Sequence, residues 1–319
     1  MTSHDSPETL VRDQLDELSA QLPGVREGSN DAIHDARVAT RRLREALPLL
    51  GSSGRERERA RRWLKKTGQG LGRIRDLDVM LDLAIATVRR LPAAAVPLQH
   101  LLLELRGSRD ARLRRAVKRL EREDREPILA VLRPSRRATW RLGAGRAPWT
   151  DILADRILQR ADVLETAVTR AGGVNFPRRV HAVRIAAKKL RYALEAADVT
   201  ATNHLSGAMT LLKHVQDVLG DLHDRHVFMQ TVEARAAEAG PEHGSAFDAV
   251  RAYVETECRD LHRRYLEERA DLVALCGAAR SAVRRRRHGL LAAVRRPVFL
   301  AAAGALALPS AVRLLKRAG

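Results

Sequence analysis

Apolar residues fall three and four apart along most of the chain, the period of an amphipathic helix. In Ile33 to Leu50 (IHDARVATRRLREALPLL), Ala36, Ala39, Leu43, Ala46, Leu47 and Leu50 share one face at about 100° per residue. Val180 to Ala197 (VHAVRIAAKKLRYALEAA) repeats the spacing with Val183, Ala186, Leu190, Ala193 and Leu194. Period-two β-branched runs are hard to find, and the helix-favouring residues Ala, Leu, Arg and Glu are abundant. The pattern predicts an all-α protein. Breaks are expected at Leu22-Pro23-Gly24, Gly51 to Gly54, Gly143 to Pro148, Gly172-Gly173 and Gly240-Pro241. Ser29, Asn30 and Asp31 offer N-caps to the first of the two helices, and Pro177 suits the first turn of the second.

The two helices are copies. His34, Arg37, Leu43, Arg44, Ala46 and Leu47 recur 147 positions on as His181, Arg184, Leu190, Arg191, Ala193 and Leu194. A second motif follows each, about thirty residues later. Leu64-Lys65 and Gly72-Arg-Ile-Arg-Asp76 match Leu212-Lys213 and Gly220-Asp-Leu-His-Asp224 at offset 148. Two motifs in the same order indicate a duplicated helical unit joined near Gly143 to Pro148.

Opposite the apolar face, His34, Arg37, Arg41 and Arg44 fall within about 80° of one another. The second copy carries His181, Arg184, Lys188 and Arg191 in the same way, and Arg42 and Lys189 sit beside the stripes. A solvated helix face usually mixes signs to gain i,i+4 pairs. These stripes are single-signed over roughly 15 Å, and an anion lying along them would relieve the repulsion.

Composition narrows the choices. The 319 residues carry a formal charge of +19, and seven of the 58 basic residues are lysine. Residues 280–319 hold ten basic and no acidic side chains, so the first 279 account for only +9. Net charge therefore says little about a site in the main body. Apolar content of 45% excludes a wholly disordered polyelectrolyte, and two cysteines exclude a disulfide framework or a Cys-rich zinc module. No GxxxxGK[ST] is present, so an NTP-driven reaction is not expected. The start, MTSHDSPETL, has no apolar stretch, so no secretory signal and a cytoplasmic location are expected.

The motifs HDARVATRRLREAL, HAVRIAAKKLRYAL, LGRIRDLDV and LGDLHDRHV resemble the paired signatures of the CHAD domain, the conserved histidine α-helical domain. The resemblance covers about Ser6 to Gly277. It implies two pseudo-symmetric helical bundles whose basic motif helices line a central groove or pore. It also implies inorganic polyphosphate as ligand and an association with polyphosphate granules. The expected organisation is a CHAD domain over 6–279, with repeat one at about 6–145 and repeat two at about 146–279, and a separate tail over 280–319. Many relatives also carry a CYTH triphosphate-tunnel domain. No Glu-x-Glu-x-Lys strand motif of that kind occurs here, so a stand-alone, non-enzymatic binder is expected. Its binding residues would be His34, Arg37, Arg41, Arg42, Arg44, His181, Arg184, Lys188, Lys189 and Arg191. Lys65, Arg75, Lys213 and His223 would add to them from the second motif.

Other readings are weaker. His214, His223 and His226 with Asp221 and Asp224 are the one candidate metal cluster. The first copy puts Lys66, Arg75 and Asp78 in place of the three histidines, and guanidinium offers no free lone pair. No metal or other cofactor is expected. Asp76 and Asp224 read as N-caps of a following helix or as braces for a stripe arginine, and Gly72 and Gly220 as a turn or a close helix approach. Nucleic acid is expected to bind only non-specifically, because aromatics are 3% of the chain and base platforms need them. The alternatives are an accessory or catalytic role in polyphosphate or phosphoester metabolism, or a nucleic-acid-binding helical protein. In the tail, Pro297 to Val312 is uncharged. As a helix it would span about 24 Å, short of a bilayer core of about 30 Å. A helix packed on the bundle, a basic tail or a peripheral contact with acidic lipid fits it.

Overall fold

The computed structural model describes residues 7–49, 54–122, 128, 131, 149–198 and 206–285. The long elements are helices: α1 (Pro7–Glu27), α2 (Asn30–Ala46), α3 (Gly54–Arg90), α4 (Ala95–Arg122), α5 (Trp149–Ala171), α6 (Pro177–Asp198), α7 (Ser206–Glu238) and α8 (Gly244–Glu267). A ninth helix, α9, covers 269–285, and no strand occurs among the described residues. The protein is all-α.

The first expected break is not one. α1 runs through Pro23 to Glu27. Val11, Leu15, Leu18, Leu22 and Val25 are all buried at three- and four-residue spacing, so one apolar stripe crosses the proline. Packing of that stripe offsets the hydrogen bond that proline removes. The chain turns instead at Gly28, whose φ of 80° is the left-handed value that suits glycine after a helix. Ser29 then caps α2, its hydroxyl accepting from the Ala32 amide at 3.4 Å. α2 buries Ile33, Ala36, Ala39, Leu43 and Ala46, the face that the periodicity predicts. The breaks at Gly172-Gly173 and Gly240-Pro241 fall between helices, with Gly172 at φ 62°, and Pro177 opens α6.

Packing follows the same order in both parts of the chain. α1 packs on α2, α2 on α3 and α3 on α4; α5 packs on α6, α6 on α7 and α7 on α8. Across the middle α2 meets α6 and α3 meets α7. One hydrophobic core gathers α1, α2, the first half of α3 and Ala116 of α4. The other joins Met80 and Ala84 of α3 and Leu98, Leu101 and Leu105 of α4 to the helices from α5 onward. The α3–α4 hairpin therefore belongs to both cores. Polar links add to this join. Arg160 of α5 donates to the Glu45 carboxylate of α2 at 2.6 Å, and Arg156 donates to the Glu45 carbonyl at 2.8 Å. That carbonyl lies in the last turn of α2, where a cation is favoured.

α9 continues past residue 279. Arg280 donates to Asp162 at 2.9 Å and to Glu165 at 2.5 Å, both on α5. The uncharged stretch of residues 297–312 lies outside the described residues. Among the described residues, no helix is long and apolar enough to cross a membrane.

Candidate functional site

The α2 stripe faces α3, and the α6 stripe faces α7. In each pair one arginine lies against a glycine. A Cβ on Gly72 would come within 3.3 Å of Arg37 Nε, and one on Gly220 within 3.6 Å of Arg184 Nε. Both glycines lie in helix interiors, so the close-approach reading holds and the turn reading does not. They leave room for a guanidinium on the neighbouring helix. Asp76 and Asp224, one turn further, are also interior to α3 and α7 and cap no helix. Asp76 attracts Arg37, and Asp224 attracts Arg184. Burial nonetheless pushes the Asp224 carboxyl above its usual range, helped by Asp221 and Asp76.

Each histidine of the first motif meets its partner from the second. His34 lies beside Arg75, and burial together with that guanidinium holds the imidazole below its ordinary pKa. Asp35 opposes the shift, while Arg37 and Arg41 add to it. In the other half, the rings of His181 and His223 lie 4.3 Å apart, tilted by 39°. Burial, then His181 and Arg184, draw His223 down to about 4. Burial, then Arg184 and Lys188, also lower His181.

The two halves touch through their cations. Arg41 Nη1 donates to Tyr192 Oη at 2.9 Å, joining α2 to α6. Its guanidinium carbon lies 5.8 Å from the Tyr192 ring centre, and that of Arg191 lies 5.0 Å from it, both in cation–π range. Lys188 sits among Arg41, Arg184, Arg37 and Arg191. Burial first, and those four charges after it, pull its pKa down to about 7. Burial, then Arg41 and, beyond Asp76, Arg184, likewise lower the pKa of Arg37. Among the described residues, Arg37, Arg41, Arg184 and Lys188 make no direct ion pair with a carboxylate, whereas Arg191 donates to Glu195 at 2.7 Å. Arg184 Nε and His181 Nδ1 are enclosed without a hydrogen-bond partner. Buried polar atoms left in that state cost about 1–3 kcal/mol each. The arrangement is suited to anionic oxygens.

The structure thus brings together His34, Arg37, Arg41 and Arg75 with His181, Arg184, Lys188, Arg191 and His223. Arg42 is engaged elsewhere, 3.6 Å from Glu195. Arg44, Lys65, Lys189 and Lys213 are exposed and take no part in the contacts that join the cluster. The histidines of the candidate metal group diverge. His214 Nε2 lies 3.6 Å from Glu268, His226 Nε2 lies 3.5 Å from Asn175 Nδ2, and His223 faces His181. Among the described residues, no group of three or more His, Cys, Asp or Glu side chains could hold a metal ion. Sequence reasoning missed Tyr192 as a link between the stripes. Its signal was present: it is the one aromatic inside a repeated motif, at the position that Glu45 takes in the first copy.

Comparison with known proteins agrees with this architecture. Over 251 residues the chain is 29% identical to "Uncharacterized protein Rv2226" of Mycobacterium tuberculosis (strain ATCC 25618 / H37Rv). It matches "Uncharacterized protein MT2285" of strain CDC 1551 / Oshkosh equally. The match covers 73% of this chain and 47% of each relative, so the chain spans about half the length of the curated relatives it matches. The fold is similar to the crystal structure of the CHAD domain from the plant Ricinus communis. The TM-score is 0.55 at 21% identity, over 87% of this chain and 90% of that one. The family model of the CHAD domain matches residues 9–233, a span that takes in both motif helices and both glycine-bearing helices behind them, and the chain belongs to the CHAD domain family.

Proposed function

We propose that the protein binds inorganic polyphosphate, without turning it over, in the cationic cluster between α2 and α6, and that it acts where that polymer accumulates in granules. The observation that carries this reading is the convergence of Arg37 and Arg41 with Arg184 and Lys188 and no directly paired carboxylate. Like charges gathered from two halves of a fold are costly alone and favourable around a polyanion. Arginine grips phosphate oxygens bidentately, and lysine adds a point charge. A polymer of phosphate alone needs no base contacts, in keeping with a cluster whose single aromatic, Tyr192, is buried.

Titration with polyphosphate of defined length tests the reading, run with and without excess duplex DNA and followed by assay of the mixture for released phosphate. Saturable binding that survives DNA, with no phosphate released, is expected. Displacement by DNA would make the site a general backbone binder. Sustained phosphate release would make the protein a hydrolase.

A further inference from the structure

A second set of cations is untouched by the central cluster. A cleft of about 630 Å³ opens between α3 and the end of α4. Lys66 and Arg73 line one wall; Arg112, Arg115, Lys118, Arg119 and Arg122 line the other, and no carboxylate lines it among the described residues. At about 100° per residue, Lys66 and Arg73 lie some 160–180° around α3 from Arg75, so this cleft opens on a different side of that helix. All seven side chains are exposed.

Two features separate the cleft from an ordinary solvated face. Some surface arginines elsewhere pair with an acid one turn away, as in Arg61–Glu58, Arg251–Asp248 and Arg263–Asp260. Among the described residues, the cleft cations other than Arg119 have no such partner. Their repulsion is held along walls of roughly 10–15 Å. The cleft's floor is also closed: Leu71, Thr67 and Ala116 are 1%, 3% and 9% exposed. A nucleobase would find no aromatic among the described lining residues. What the cleft offers is charge on two sides of a narrow trough, which suits a thin, hydrophilic, linear polyanion.

We infer that the α3–α4 cleft is a second binding site for a phosphate polymer, taking another stretch of inorganic polyphosphate. The identity of that ligand rests on the function proposed above, whereas the position of the site does not. With one site between α2 and α6 and another on the outer side of α3, a single molecule holds two strands of polymer, or two stretches of one. Long chains can then be cross-linked, because one protein molecule holds two stretches at once.

Calorimetric titration with short polyphosphate of defined length, and light scattering with long polyphosphate, test this on the full chain. Lys66→Gln, Arg73→Gln and Arg115→Gln are combined in one variant, and Arg37→Ala and Arg41→Ala in another. The wild type is expected to bind two equivalents of short polymer and to raise scattering with long polymer. The outer variant should bind one equivalent, keep the remaining affinity within about twofold, and lose the scattering. The central variant should keep the outer equivalent. One equivalent in the wild type, or unchanged stoichiometry and scattering in the outer variant, overturns the second site and leaves the central one standing. An outer variant that loses duplex DNA binding but not polyphosphate assigns the cleft to nucleic acid and equally overturns the proposal. Binding in the cleft alone would overturn the central assignment instead.

Discussion

The two motif pairs share a backbone plan and differ in the kind of charge they carry. In the first, the two positions are the guanidiniums of Arg41 and Arg75. In the second, the aligned positions are Lys188, with a pKa of about 7, and His223, with a pKa of about 4. The supporting shells differ as well. Asp78 of the first half is fully buried and bonded by Arg109 Nε at 2.5 Å, while Arg109 also donates to Gly28 O at 2.6 Å and Asn30 Oδ1 at 2.7 Å. The matching residue of the second half, His226, has only a 3.5 Å contact with Asn175. The second motif pair thus puts a lysine and a histidine with lowered pKa where the first puts two guanidiniums. The two motif pairs therefore place side chains at matching positions and differ in whether those side chains can lose a proton.

The largest expected effect probes the shells. Arg109→Ala strands Asp78 in a buried position and should lower stability by about 3–5 kcal/mol. His226→Ala should cost only about 1 kcal/mol. Thermal and denaturant unfolding of both variants checks the contrast, and equal losses would remove it.

Binding should be more even than stability. Arg37→Ala with Arg41→Ala, and Arg184→Ala with Lys188→Ala, should each weaken long polyphosphate by about 100-fold, the low end of a lost tether. All four together should cost less than the sum, because the halves grip one chain. The slope of log affinity against log salt should fall with each pair removed. A half that can be neutralised without effect on affinity or slope would limit the central site to the other half.

The glycines sharpen the contrast further. A methyl group at Gly72 meets Arg37 Nε at 3.3 Å, tighter than ordinary contact, while at Gly220 the distance of 3.6 Å is ordinary. Gly72→Ala should displace Arg37 and weaken binding about tenfold, the worth of one charge-assisted hydrogen bond. Gly220→Ala should bind almost as the wild type and gain up to about 1 kcal/mol of stability from helix propensity. Paired titrations and melting curves decide it.

The smallest effect is the dependence on pH. Free Lys188 is half protonated near pH 7, and a bound polyanion raises its pKa, so binding takes up a proton. Affinity should fall about fivefold between pH 7 and 8, the loss of protonated amine expected for a pKa of about 7. Lys188→Arg should flatten that limb. The free protein behaves in the opposite sense. The folded state holds fewer Lys188 protons than the unfolded state between about pH 7 and 10.5, so this group adds stability as pH rises through that window. His223 does the same between about pH 4 and 6.5. A steep profile that persists in Lys188→Arg would move the pH dependence to His34 and His181.

Much of this was legible in the chain. The two stripes, their apolar faces, the Ser29 cap and the glycine-bearing motif that follows each stripe are read from local period and repetition, which act over a few turns. The Pro23 expectation failed because a local breaker signal was weighed without the stripe running from Val11 to Val25. The N-cap reading of Asp76 and Asp224 failed because α3 and α7 extend well beyond their motifs, held by packing at the far ends of both hairpins. Arg42, Arg44, Lys65, Lys189 and Lys213 looked equivalent to the clustered cations, because spacing assigns a residue to a face without saying whether a partner helix covers it.

What the sequence alone determined is the helical class, the cationic faces, the order of the motifs and the membership of a family, since each depends on neighbours three to eight residues away or on comparison of one segment with another. What only the tertiary structure decided is which cations meet. Burial and the approach of α2 to α6 set Lys188 among four guanidiniums, bring Arg41 to the Tyr192 hydroxyl and place His181 against His223. Desolvation and charge–charge coupling depend on distance in space, and residues 147 positions apart acquire that distance only when the chain folds.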